Sequence, residues 1–290
     1  MADKLICFFS SDLHGEASRY EKLYEAIRRE RPAAVFLGGD LFPPGKLALS
    51  SSVSAAREFT LEVLTGGFRN LKQQMGEAYP RVFIILGNDD PRLLEAEILA
   101  GESMGLWEYI HNHRAAWKEF SIFGYGFVPP TPFLLKDWER YDVSRFLDPG
   151  CISPEEGWRT VPIQESELKQ ATIQLDLERL VDKYDLTKAI FLFHTPPYRT
   201  PLDRAALDGQ KVEGVLVDVH VGSIAVKQFI DSRQPMVSLH GHIHESARLT
   251  GSWSCQIGRT FAFSAAHDGP ELALVRFDPT KPNQATRELI

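Results

Sequence analysis

Cysteine is scarce in this chain. Cys7, Cys151 and Cys255 are the only three in 290 residues, an odd number set far apart with no C-x-x-C. That excludes a disulfide framework as the main support of the fold and fits a reducing compartment. Long apolar runs are missing too. The earliest, Leu5 to Phe9, is too short for a membrane span or a signal-peptide core, and Met1-Ala2-Asp3-Lys4 lacks a signal-peptide pattern. On these grounds the protein is expected in the cytoplasm, with no membrane partner. Nor is there an excess of positive charge: 32 Lys and Arg stand against 39 Asp and Glu, a net charge of −7. This argues against extended duplex nucleic acid as a partner. A small phosphorylated ligand stays open, because a bound dication can supply local positive charge. Internal repeats, low-complexity tracts and long charge runs are absent as well.

What remains is an ordinary soluble composition, 43% hydrophobic and 24% charged, on a chain long enough for a sizeable core. Five apolar runs read as buried strands. They are Leu5–Phe9, Ala33–Leu37, Val82–Leu86, Lys188–Phe193 and Pro235–Leu239. Helical stripes separate most of them. Tyr20, Leu23, Tyr24 and Ile27 mark a helix for which Ser18 and Glu21 offer a capping box. Residues 43 to 52 read as a loop. Leu64, Phe68, Leu71 and Met75 mark a second helix, which Gly66-Gly67 threatens to interrupt. Asp90-Pro91 reads as the cap and first residue of a third. Ser223 is placed to cap a later helix, and the tail from Leu249 reads as short strands. Residues 127 to 165 differ from the rest. They hold six prolines with Trp138 and Trp158, and lack clear periodicity. Such an excursion inside a compact domain is a candidate lid or substrate wall.

The densest chemistry is Ser238-Leu239-His240-Gly241-His242-Ile243-His244, with three of the nine histidines in seven residues. In an extended chain, side chains two apart share a side. Imidazoles gathered this way repel if protonated and waste burial if neutral, unless they bind a metal. Each of the five runs in fact ends in a polar signature: Asp12-x-His14, Gly39-Asp40, Gly87-Asn88, His194 and Gly241-His242-x-His244. In α/β folds, ligands bind beyond the carboxyl ends of the strands.

This set of motifs resembles that of the calcineurin-like metallophosphoesterase superfamily, from residue 12 to residue 244. The resemblance implies an α/β fold, a four-layer α/β/β/α sandwich with two mixed β-sheets, and one such domain over residues 1–290. It also implies two divalent transition metal ions. Asp12, His14 and His244 would bind the first, Asn88, His194 and His242 the second, and Asp40 would bridge them. His240 has no counterpart among the family's ligands and is expected to be a neighbour of the site. Two dications can clamp a phosphoryl group and generate a hydroxide nucleophile at neutral pH. Imidazoles and carboxylates together favour Mn, Fe, Zn, Ni or Co over purely oxygen-bound ions.

The third motif departs from the family's G-N-H-[D/E]. Asp89 stands where the usual histidine donates to the transition state or the leaving oxygen. An aspartate can serve as an acid only if burial or a neighbouring anion raises its pKa; otherwise it is a turn residue. Without that histidine the resemblance points to a phosphodiesterase acting on a small phosphorylated substrate, a nucleotide or another phosphodiester. The competing reading is a metal-binding scaffold that has lost catalysis. Arg199, five residues past His194, is placed to pair with a phosphate oxygen. The region Phe263 to Gly269 replaces an N-P-G-S-like segment of the family, and His267 there reads as a surface histidine.

Overall fold

A computed structural model of the chain describes residues 5–43 and 50–290. The described residues form two facing sheets of six strands, numbered along the chain. The first sheet runs β14 (Thr286–Leu289), β13 (Ala273–Phe277), β1 (Cys7–Ser10), β2 (Ala34–Gly38), β3 (Arg81–Ile85) and β4 (Glu108–Tyr109). The second runs β11 (Ser254–Ile257), β12 (Thr260–Ser264), β10 (Val237–His240), β7 (Ala189–Phe193), β6 (Phe120–Tyr125) and β5 (His113–Trp117). Strands β1 to β4 are mutually parallel, as are β12, β10, β7 and β6, while the remaining strands pair antiparallel. A two-stranded hairpin, β8 (Lys211–Val212) and β9 (Val215–Leu216), stands apart.

The period-two alternation of the strands sets the layers. Cys7, Phe9, Phe36, Phe83 and Ile85 point between the sheets and meet Ile122, Ile190, Leu192, Val237 and Leu239. Their neighbours Phe8, Val35, Leu37, Val82 and Ile84 point outward, into one core with the helices α1 (Ala17–Glu30) and α3 (Gly66–Met75). On the outer face of the second sheet, Phe191 packs on Phe229 of α7 (Ile224–Arg233), with Leu177 of α6 (Ile173–Val181) in the same core. The result is the expected α/β/β/α sandwich. Each fully buried Phe contributes about 1.5–3 kcal/mol through the area removed from water. The parallel core strands leave their carboxyl ends on one rim.

Helix boundaries depart from the expectations in instructive ways. Ser18 and Glu21 form no capping box; α1 starts earlier, at Ala17, with Glu16 as an N-cap that makes no side-chain bond. Asp90 caps no helix: Pro91 is extended, a 3-10 turn covers Arg92–Leu94, and α4 (Glu95–Ser103) follows. The Asp90 carboxylate is spent elsewhere, accepting from the backbone N–H of Leu41, Phe42 and Gly87. Gly66-Gly67 does not break its helix. From α2 (Ser50–Phe59) a π-helical turn, Thr60–Thr65, leads straight into α3. Gly67 is required because a Cβ there would lie 2.3 Å from the Tyr24 ring. Ser223 does cap α7, accepting from Val226 N at 3.0 Å. Of the loop expected over 43 to 52, residues 44–49 fall outside the described residues, and 50–52 are not loop but the opening turn of α2.

The excursion is fastened to the body. Trp138 is fully buried and its indole N–H donates to Asp90 O at 2.8 Å. Asp137 accepts from the N–H of Arg92 and of Thr160. Lys136 and Glu139 make a buried ion pair at 2.5 Å. Asp142 accepts from Ser223 Oγ and from Ile224 N, at the start of α7. Beneath it, His111 sits edge-on to Trp138 and Phe127 and flat against Tyr125, its Nδ1 accepting from Gly126 N at 3.0 Å. The short helices α5 (Glu165–Gln170) and α8 (Ser246–Thr250) complete the element list. Among the described residues, no helix is long and apolar enough to cross a membrane.

Candidate metal centre

The rim is built by sharp turns at the strand ends. Asp12, His14, Asp40 and His242 all have left-handed backbones, with φ of 58°, 47°, 52° and 74°. Short polar residues tolerate this region better than others, at a cost of order 1 kcal/mol each. The turn after β1 is held against that cost by Asp12 N to Gly39 O, His14 N to Asp40 O and Gly15 N to Leu41 O. Arg19, one turn into α1, adds a guanidinium donor to Asp12 O at 2.6 Å and ties it to Gly269 O at 2.5 Å. Two motif glycines exist for space. A Cβ at Gly87 would lie 2.4 Å from Asp40 Oδ1, and one at Gly241 would lie 2.0 Å from Ser11 Oγ and 2.6 Å from Asp12 Oδ2.

The turns bring the motif residues into two groups. Ligand-capable atoms of Asp12, His14, Asp40 and His244 lie within 4.8 Å of one another, and so do those of Asp40, His194 and His242. Asp40 belongs to both groups. Asn88 joins the second, its Oδ1 standing 3.0 Å from His194 Nε2.

The atoms that meet are mostly acceptors. His194 Nδ1 faces Gly38 O at 2.8 Å and so carries a proton, which leaves Nε2 as a lone pair in the neutral ring. That Nε2 faces two further oxygens, Asn88 Oδ1 at 3.0 Å and Asp40 Oδ2 at 3.2 Å. His14 Nε2 faces His244 Nε2 at 3.0 Å. Asp12 Oδ2 is buried with no hydrogen-bond partner. Lone pairs converging like this need a cation between them. The donor set therefore fits divalent ions held by imidazole nitrogen and carboxylate or amide oxygen.

Charge tells the same story. Burial alone would push the Asp12 carboxyl up; the hydrogen bond and charge of His244, with His194 and His14, outweigh it and hold it below the usual carboxylate range. Asp40 is held down at about 2 against the same burial, chiefly by His194. Burial opposes charge on His194 and His244 as well, yet Asp40 lifts the first to about 10 and Asp12 lifts the second to about 9. Burial wins at His242, which drops to about 3. The carboxylates thus draw positive charge onto the same nitrogens that a metal would use, so ions and protons compete for them.

The other sequence candidates fall nearby. Asp89 adjoins the site: its N–H donates to Asp40 Oδ1 at 2.8 Å, and its Oδ2 is 3.8 Å from His14 Nδ1. Burial, then the charge of Asp40, pushes its carboxyl up to about 7. His240 is the neighbour it was expected to be. Its Nδ1 meets Thr195 O and its Nε2 meets Ser238 Oγ, both at 2.9 Å, so neither nitrogen is free. The strand β10 ends at His240, which is why the simple alternation of the three histidines stops there. Arg199 is exposed, with its guanidinium 5.2 Å from the Tyr198 ring centre, outside both ligand groups. His267 pairs with Glu271 at 2.9 Å. Arg19 was not singled out from sequence; only its reach back to Asp12 O reveals it.

Comparison with known proteins agrees with this architecture. No curated protein matches the chain. Among solved structures, TT1561 of Thermus thermophilus is similar over 99% of both chains, at 17% identity and a TM-score of 0.58. A dimetal phosphatase from Danio rerio is similar over 94% of this chain and 92% of its own, at 13% identity and a TM-score of 0.52. These likenesses concern the fold. The calcineurin-like phosphoesterase profile matches residues 8–246, a span that contains every motif residue described above. The chain belongs to the calcineurin-like phosphoesterase family.

Proposed function

We propose that the protein is a metal-dependent phosphodiesterase acting on small phosphorylated substrates, nucleotides among them. The observation that carries this reading is the pair of acceptor clusters sharing Asp40. In this reading Asp12, His14 and His244 would hold one ion, Asn88, His194 and His242 the other, and Asp40, common to both groups, would bridge them. Mn, Fe, Zn, Ni and Co all suit such ligands. When bound, the ions polarise the phosphoryl oxygens and lower the pKa of the attacking water. The chain's residues do the rest. Asp40 is oriented by the Asp89 N–H, and His194 by Gly38 O. Arg199, exposed and outside both groups, would pair with a phosphate oxygen of the substrate.

Asp89 sets the preference for diesters. Beside a loaded site its carboxyl ionises, because nearby cations favour the charged form. An anion there repels a doubly charged monoester more than a singly charged diester. Residues 1–290 act as one catalytic domain, with the fastened excursion at 127–165 as a wall of the mouth. Three free thiols, two of them partly exposed, suit the cytoplasm.

The test compares bis-p-nitrophenyl phosphate with p-nitrophenyl phosphate, with added Mn²⁺ and with chelator. Faster hydrolysis of the diester, abolished by chelator, is expected. A preference for the monoester overturns the diester reading. Absence of metal-dependent hydrolysis on both leaves the metal-binding scaffold, which the loss of the motif histidine at Asp89 would then explain.

A further inference from the structure

Asp89 stands where the family has a histidine, and its backbone and its side chain do different things. The Asp89 N–H donates to Asp40 Oδ1 at 2.8 Å. The turn around it closes without its carboxylate: Gly87 N donates to Asp90 Oδ2 at 2.9 Å, and Asp90 N to Gly87 O at 3.1 Å. The Asp89 side chain, 36% exposed, is not needed to make the turn.

Its two oxygens face one ligand of each group. Oδ1 accepts from Asn88 Nδ2 at 3.0 Å, and is the only acceptor that this nitrogen meets among the described residues. An amide presents an oxygen on one side and two N–H donors on the other. Asn88 can offer a cation its oxygen only while its nitrogen is held away, and here its Oδ1 stands 3.0 Å from His194 Nε2. The second oxygen of Asp89, Oδ2, lies 3.8 Å from His14 Nδ1. That nitrogen is buried with no hydrogen-bond partner, whereas His194 has its Nδ1 fixed by Gly38 O. With Nε2 of His14 aimed into the ligand group, Nδ1 carries the proton of the neutral ring and needs an acceptor. Asp89 is the nearest carboxylate to it among the described residues. A hydrogen bond closes with a movement of about 1 Å by either side chain. A neutral histidine at this position would offer one acceptor and could serve one of these partners; a carboxylate serves both.

We propose that Asp89 is a positioning residue of the metal centre, one outer carboxylate shared by a ligand of each ion. It turns the Asn88 oxygen toward one ion and His14 Nε2 toward the other. This rests on the two-ion reading of the site. Asp40 keeps its bond from the Asp89 backbone whatever the side chain, so substitution at Asp89 isolates the carboxylate's part.

The experiment adds Mn²⁺ to the full chain, first stripped of metal, in competition with a fluorescent chelator, and reads two dissociation constants with no substrate present. Loss of an outer contact to a ligand weakens metal binding about 10–100-fold. Asp89→Ala is expected to weaken both constants by about 10-fold or more. Asp89→Asn keeps one acceptor oxygen, so it is expected to hold one constant close to the parent's and lose on the other. Thermal unfolding without metal is expected to be the same in all three proteins. Unchanged constants in Asp89→Ala overturn the proposal. Equal losses at both sites in the two variants mark lost charge rather than lost positioning, and overturn it too. A fall in metal-free stability alongside the metal loss marks a turn residue and does the same. In each of these cases a parent that binds two ions keeps the two-ion reading, and only the role of Asp89 falls. A parent that binds none overturns both.

Discussion

His111 offers a sharp test of how the excursion is held. The ring is 9% exposed and stands among Trp138, Phe127, Tyr125 and Tyr109. Burial, with the charges of Arg92 and Arg140, pushes its pKa down to about 3 from the ordinary 6.5. Between those two values the unfolded chain binds a proton that the folded chain refuses. Stability is therefore full above pH 6.5 and falls as the solution is acidified toward 3, by roughly 1.4 kcal/mol per pH unit. From pH 6.5 to 4.5 the loss through this group is roughly 2.3 kcal/mol. His111→Phe removes the titration but also removes the acceptor for Gly126 N. A buried N–H left without a partner costs about 1–3 kcal/mol. The variant should therefore be the less stable protein at pH 7. The gap should then shrink by roughly 2.5 kcal/mol by pH 4.5, closing or reversing. Urea unfolding followed by tryptophan fluorescence, in chelator to keep metal linkage out, measures both. Trp138 lies 4.8 Å from the ring and reports directly. If parent and variant lose stability in parallel from pH 6.5 to 4.5, the reasoning is wrong.

Three further outcomes follow from close contacts. Gly241→Ala would press on Ser11 and Asp12, and should leave the fold intact while elemental analysis finds loss of the ion proposed for the Asp12 group; full metal content contradicts this. Gly67→Ala drives a methyl into the Tyr24 ring and should cost about 1–3 kcal/mol in denaturant unfolding, with metal binding untouched. Arg19→Ala frees Asp12 O and should weaken metal binding about 10-fold or more, as loss of a supporting contact does. Competition with a fluorescent chelator reads that affinity without an activity assay, and unchanged affinity would show that the other three turn bonds suffice.

The rim was legible in the sequence because its signals are local. Each apolar run predicted as a strand became a central parallel strand, and each polar signature directly follows one. Asp12, Asp40 and His194 are within a few residues of the strand that aims them, so chain order and spatial order coincide. The cap at Ser223 was legible; those expected at Ser18 and Asp90 were not. Ser18 and Asp90 had the right neighbours, but a side chain near a metal rim answers to the loops across from it. Asp90 serves the N–H of Leu41 and Phe42, nearly fifty residues away. The excursion was visible only as a break in periodicity. Its order comes from pairings such as Trp138 with Asp90 O and Asp142 with Ser223, which no pattern in the chain announces. The pairing of Asp203 with His220, seventeen residues apart in the chain, is hidden for the same reason.

The left-handed turns at Asp12 and Asp40 bear on how such a chain could drift. Asparagine accepts that backbone about as well as aspartate does. A change to asparagine at either position would keep the turn, the strand order and the packed sandwich, and would delete only the negative charge that draws cations. The path from hydrolase to inert scaffold is therefore short and costs little stability. Selection for the fold alone would not see it. A lineage kept merely as a scaffold has no physical reason to hold carboxylates at these two corners, and this chain still holds both.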